Sequence, residues 1–160
     1  MNTVYAPDTV TEGETFLWHN VDDRLQVGVA LLWKQGAFRG LANYEVVKET
    51  EKSPNLRIGL GLQGISTGNP GYFVTTEKTW KNGDDHLGAF VGVGWRANEN
   101  HPHLIGGGKI TPDGGNATLG IQLDGHRVHP FGTYRVQPNL TLGAYWIEMK
   151  SLGIMVSLSK

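Results

Sequence analysis

Leu56-Arg57-Ile58-Gly59-Leu60-Gly61-Leu62-Gln63-Gly64-Ile65 alternates a bulky aliphatic side chain with a small or polar one. Successive side chains of a β-strand point to opposite faces. As a strand, the segment therefore puts Leu56, Ile58, Leu60 and Leu62 on one face and Arg57, Gly59, Gly61 and Gln63 on the other. A helix would scatter the same residues around its axis.

The same arithmetic works outward in both directions. Leu25, Val27, Val29, Leu31 and Trp33 oppose Gln26, Gly28 and Ala30, with Leu32 the one bulky exception. Leu87, Ala89, Val91, Val93 and Trp95 oppose His86, Gly88, Phe90, Gly92, Gly94 and Arg96. Ala117, Leu119, Ile121 and Leu123 oppose Thr118, Gly120, Gln122 and Asp124; Leu140, Leu142, Ala144 and Trp146 oppose Thr141, Gly143, Tyr145 and Ile147. Leu152, Ile154, Val156 and Leu158 oppose Gly153, Met155, Ser157 and Ser159. Between the runs stand short connections such as Gln35-Gly36, Lys81-Asn82-Gly83-Asp84-Asp85, Asp124-Gly125 and Gln137-Pro138-Asn139, built from residues that tolerate turn dihedrals. Period-two runs at such spacing predict an all-β fold: a single antiparallel up-and-down meander of about ten strands from Leu25 to Ser159, closed into a barrel. Residues 25–160 form that barrel. Residues 1–24 are an N-terminal segment that serves as a tail, a plug or an eleventh strand over Thr15 to His19.

Composition bounds the function. The 160 residues include 23 glycines, 39% hydrophobic and 18% charged side chains, and 14 Lys and Arg against 15 Asp and Glu leave a formal net charge of −1. No global positive field recruits nucleic acid. The absence of cysteine excludes disulfides, thiolate metal sites and cysteine nucleophiles. No run of about 18 apolar residues predicts a membrane-spanning helix, so a strand barrel is the one available way to span. The first residues, Met1 to Asp8, carry neither a basic nor an apolar signal region, which fits either a mature chain or one that is not exported.

Which face is enclosed decides between a barrel in water and a barrel in lipid. The small face carries Gly28, Gly59, Gly61, Gly88, Gly92, Gly94, Gly120 and Gly143, and glycine in a water-exposed strand is destabilising. The rest of that face mixes both charge signs: Gln26, Arg39, Asn43, Glu45, Arg57, Gln63, Glu77, Arg96, Gln122, Asp124, Arg127 and Arg135, with Thr133. Enclosed charges need partners, and interleaved signs supply them. These twelve polar residues are the expected lumen lining. On the aliphatic face, Trp33, Phe38, Tyr72, Trp95 and Trp146 fall toward one rim and Tyr44, Trp80 and Tyr134 toward the other, as bilayer interfaces select.

With this pattern the chain resembles the small bacterial outer-membrane β-barrel proteins of the eight-to-ten-stranded class, which serve as anchors, adhesins and narrow pores. The resemblance covers Leu25 to Ser159 and implies a transmembrane barrel in the outer membrane of a bacterial-type envelope, with lipid or detergent as its partner. One departure is the last strand, which in that class ends on an aromatic residue and here ends Val156-Ser157-Leu158-Ser159-Lys160.

Candidate chemistry is sparse. Gly59-Leu60-Gly61-Leu62-Gln63-Gly64 matches a dinucleotide fingerprint as a string but lies within a strand rather than opening a helix, and Gly106-Gly107-Gly108-Lys109 lacks the Ser or Thr of a phosphate loop. Hairpin counting puts His101 and His103 on the same rim as His126 and His129, so four imidazoles, with Asp124, could hold a divalent metal there. A catalytic grouping of His126 or His129 with Asp124 and Ser151 lacks a recognisable nucleophile context, and no enzyme activity is expected. The expected function is a structural anchor or a narrow, porin-like passive pore, in which the lumen charges act on small polar solutes. The alternative is a lipocalin-like barrel in water, holding a small apolar ligand within its aliphatic face. Short turns on both rims argue against an adhesin or receptor.

Overall fold

A computed structural model describes residues 1–62 and 68–159. Among them run twelve strands: β1 (Asn2–Tyr5), β2 (Gly13–Asn20), β3 (Leu25–Leu32), β4 (Ala37–Val47), β5 (Leu56–Leu62), β6 (Pro70–Asn82), β7 (Asp85–Arg96), β8 (His103–Thr111), β9 (Ala117–Leu123), β10 (Val128–Gln137), β11 (Leu140–Ile147) and β12 (Ser151–Leu158). Each pairs antiparallel with the next, and β1 also pairs with β12, so the meander closes into a barrel with no free edge. Among the described residues, no helix is long and apolar enough to cross a membrane.

Sequence reading predicts about ten strands, and the barrel has twelve. The difference lies at the N-terminus. β2 extends the expected Thr15–His19 segment in both directions, and β1 is a four-residue strand whose pairing with β12 spans almost the whole chain. Nothing local announces such a pairing. The seam is held at its end by Met1 and Leu158, whose backbones exchange hydrogen bonds of 2.6 and 2.7 Å.

Twelve strands in up-and-down order place both termini on one rim, here called the terminal rim. The connections at 21–24, 48–55, 83–84, 112–116 and 138–139 lie there as well. The connections after β1, β3, β5, β7, β9 and β11 form the far rim.

Residues opposite one another in the ladder share a face, so the register carries the inside–outside assignment around the wall. Leu60 pairs with Tyr72, Tyr72 with Trp95, Ile110 with Leu119, and Leu142 with Val156, all outward. The aliphatic face is the outer face: Ile58, Leu60, Val74, Val91, Leu104, Leu119, Ile121, Leu142, Leu152 and Ile154 are exposed. Outer aromatics stand as stacked pairs and single rings rather than as a continuous cluster, with Tyr5 on Trp33 at 6.3 Å and Tyr72 on Trp95 at 5.8 Å between centroids.

Inside, four aromatic residues sit directly opposite a glycine: Trp18 and Gly28, Phe73 and Gly59, Phe90 and Gly107, Phe131 and Gly120. A Cβ on Gly59 or Gly120 would stand 2.3 Å from the ring of its partner, so these rings lie where a side chain would otherwise be. This is the local reason for an inner face so rich in glycine. Leu32, the bulky exception to the alternation, points inward and is fully buried with Ala30 and Leu41, against Phe16 and Trp18. Most of the buried inward side chains lie in the half of the barrel nearer the far rim, among them Glu14, Ala30, Leu32, Leu41, Arg96, His103, His129 and Ile147, whereas Asn55 is buried at the terminal rim.

Candidate functional site

The lumen begins from the inward positions of β4 to β11. Asn43 donates to Gln26 at 3.3 Å, Gln26 donates to Asn20 at 2.9 Å, and Glu45 faces Arg57 in register. Farther round, Lys109 lies 3.5 Å from Glu77. A cavity of about 380 Å³ opens among Asn43, Arg57, Phe73, Glu77, Lys109, Gln122, Phe131 and Tyr145. A second space of about 300 Å³ at the terminal rim shares Asn43 and Arg57 with it, so the lumen continues to that end, past Asp22, Asp23 and Glu45.

Toward the far rim the interior fills. Thr11, from the β1–β2 connection, and Gln35, from the β3–β4 turn, both crowd Gly68, whose ideal Cβ would lie 2.8 Å from Gln35 Nε2 and 3.0 Å from Thr11 Cγ2. Ala6 and Thr11 are fully buried in that connection. Across the mouth, the β7–β8 and β9–β10 connections bring a charged cluster together. Arg96, at the end of β7, donates from Nη2 to the Asp124 carbonyl at 2.8 Å and lies 3.2 Å from its carboxylate, with both side chains buried. Asp124 Oδ1 accepts the backbone N–H groups of His126 and Arg127 at 3.1 and 2.9 Å, which ties down the loop. His129 Nε2 stands 3.4 Å from Asp124 Oδ2, while its Nδ1 accepts the Glu148 N–H at 3.2 Å. An imidazole whose Nδ1 accepts carries its proton on Nε2, here facing the carboxylate. Burial pushes the Asp124 carboxyl up, but the His129 hydrogen bond and the two backbone donors outweigh it and hold the group well below the ordinary carboxylate range.

Beside this network lies a second group. Glu99 contacts His103 Nε2 closely and receives His126 Nε2 at 3.2 Å, and Arg96 Nη1 stands 3.6 Å away. The His103 ring lies between its neighbours, edge-on to His101 at 4.7 Å and tilted against His126 at 4.3 Å between centroids. One ligand atom each from Glu99, His103 and His126 lies within 4.8 Å of the others. Burial raises the Glu99 carboxyl, while the His126 hydrogen bond and the charges of His103, His126 and Arg96 bring it below its usual value.

Of the predicted lumen residues, the register turns Gln26, Arg39, Asn43, Glu45, Arg57, Glu77, Arg96, Gln122 and Arg135 inward. Asp124 belongs to the buried rim network, and Arg127 is an exposed residue of the same loop, 3.9 Å from Glu148, because β9 ends at Leu123 before either is reached. Gln63 lies outside the described residues. The predicted interface aromatics Trp33, Phe38, Tyr44, Tyr72, Trp80, Tyr134 and Trp146 are exposed, and Trp95 is half-buried beneath Tyr72. Of the four histidines, the fold gathers His101, His103 and His126 and gives His129 to Asp124 instead.

Sequence reasoning missed Glu99, although Glu99 and His103 stand four residues apart and converge on one point. It also missed Lys109, set aside with the glycine-rich string, and the lumen aromatics Phe73 and Phe131, while the alternation places Tyr145 on the small face. Compared with protein-family models, curated proteins and solved structures, the chain matches none.

Proposed function

We propose that the chain spans a lipid bilayer as an anchor-type β-barrel of a bacterial-type outer membrane, with its lumen closed toward the far rim. The observation that carries this reading is the inverted partition of side chains. Among the described residues, thirty large hydrophobics are exposed while only Ala6, Ala30, Leu32, Leu41 and Ile147 form a buried apolar set. On the wall these residues adjoin one another, as Ile58 with Val74 and Leu60 with Tyr72 in register, so the apolar face is contiguous, whereas a monomer in water rarely leaves a patch above about 600 Å². The chain exposes 9297 Å², where a compact monomer of 17.5 kDa exposes about 7,900 Å². Lipid tails are the solvent that suits such a face.

The aromatic spacing supports the same reading. Tyr72 and Trp80 point outward from the two ends of β6. At about 3.3 Å per residue and a tilt near 40°, they stand about 20 Å apart along the barrel axis, close to the thickness of the apolar band of an outer-membrane barrel. Their rings fit the two interfaces. A barrel in water holding an apolar ligand would need the aliphatic face inside, whereas the lumen here is lined by glycine, aromatic rings and paired charges.

Packing toward the far rim favours the anchor over the pore. Thr11, Leu32, Arg96, His103, Asp124, His129 and Ile147 are all buried there, while the space lined by Arg57, Glu77 and Lys109 opens to the terminal rim. The full chain reconstituted in a planar bilayer is therefore expected to be electrically silent. Steady single-channel steps would overturn the anchor reading in favour of a pore whose charge preference Arg57, Glu77 and Lys109 set.

A further inference from the structure

We infer that Glu99, His103 and His126 form a binding site for one divalent transition-metal ion of the class represented by Zn²⁺. Two imidazoles and one carboxylate are a donor set for such ions, with a fourth position left for water. Bonds of about 2.0–2.1 Å in a tetrahedron place ligand atoms about 3.3 Å apart. His126 Nε2 is already 3.2 Å from Glu99, and all three ligand atoms lie within 4.8 Å, so small side-chain rotations complete the geometry.

Three further observations point to a cation. The His103 side chain is 6% exposed, and its Nε2 finds no hydrogen bond of acceptable geometry although Glu99 Oε2 lies against it. In the tautomer protonated on Nδ1 that nitrogen presents a lone pair, and a small rotation that parts it from the carboxylate lets one cation bind both. The local charge also fits: Arg96 is committed to Asp124, so with neutral imidazoles the group of Arg96, Asp124 and Glu99 carries one net negative charge. Finally, the site is built to bring its two loops together. Gly125 has φ +101, and a Cβ there would stand 2.6 Å from His103 Cβ, while Asp124 holds the His126 backbone. Such supporting contacts orient metal ligands. The site is separate from the bilayer reading, since it lies on the far-rim loops and needs no open lumen.

The test is a Co²⁺ titration of the tag-free full chain in detergent, followed by visible absorption and by displacement with Zn²⁺. One Co²⁺ per chain with a ligand-field band is expected. His126→Ala and Glu99→Gln are each expected to weaken binding at least about tenfold, and His19→Gln, on the outer face near the terminal rim, to leave it unchanged. The His126 side chain is 40% exposed, so its removal leaves the wall packing intact. The absence of saturable absorption, or equal affinity in the wild type and His126→Ala, would overturn the assignment.

Discussion

Replacing Asp124 by alanine removes the centre of the far-rim network. The Arg96 and Asp124 side chains are 6% and 4% exposed and 3.2 Å apart, so water screens little of their interaction. Taking one partner from a buried pair costs about 3–5 kcal/mol, because the other charge stays enclosed. The backbone N–H groups of His126 and Arg127 also lose their acceptor, at about 1 kcal/mol each where water does not reach them. Glu99, 3.6 Å from Arg96, and water at the rim recover part of this. The expected loss is about 4 kcal/mol, and Asp124→Asn, which keeps an acceptor for the two N–H groups, loses about 1 kcal/mol less. Denaturant unfolding of the full chain in micelles, followed by tryptophan fluorescence, measures both. A loss for Asp124→Ala below about 1 kcal/mol would refute the reasoning. The pH dependence has a defined sign: the folded carboxyl is lowered, so its stabilisation is present above the unfolded value near 3.8 and is lost as pH falls from there through the folded value. Asp124→Asn is expected to flatten that acid limb.

Other substitutions probe the wall. Val91, half-way along β7 between Leu87 beside Trp80 and Trp95 beside Tyr72, is exposed on the outer face; Val91→Arg is expected to cost about 2–4 kcal/mol for folding into lipid vesicles, read by equilibrium refolding, and no cost would place that face outside the hydrocarbon. Gly59→Ala puts a Cβ 2.3 Å from Phe73 Cζ and 2.6 Å from Asn43 Oδ1 and is expected to cost about 1–3 kcal/mol. Gly40→Ala, with nothing within 4 Å of its Cβ, is the matched control, and equal melting of the two variants would contradict the ring-over-glycine packing. Gly125→Ala, at φ +101 and against His103, is expected to loosen the far-rim loop, seen as faster amide exchange at His126 and Arg127.

Much of the wall was legible because strand alternation is local: Leu56 to Leu62 declares its two faces without reference to any other segment. Alternation put Arg57 and Gln122 on the face opposite the aliphatic residues, and the glycines and mixed charges of that face turned it inward. What was not legible depended on distance. β1 is four residues long, and its place is set by pairing with β12 at the opposite end of the chain. Leu32 breaks the alternation because Leu41, Phe16 and Trp18 meet it from the neighbouring strands. Hairpin counting was enough to put the histidines on one rim, but it could not separate His129, whose Nδ1 accepts the Glu148 N–H and whose Nε2 stands 3.4 Å from Asp124, from His103 and His126, which turn to Glu99.

The claim that the aliphatic face meets lipid is tested most directly by spin-label accessibility along β9. The chain has no cysteine, so single cysteines at 119, 120, 121 and 122 are the only labelling sites in each variant. In lipid vesicles, labels at the outward positions of Leu119 and Ile121 are expected to collide preferentially with oxygen dissolved in the hydrocarbon, and labels at Gly120 and Gln122 with a polar relaxation reagent, alternating with period two. Preferential access of the polar reagent to positions 119 and 121, or a chain that stays monodisperse in buffer without detergent, would contradict the account.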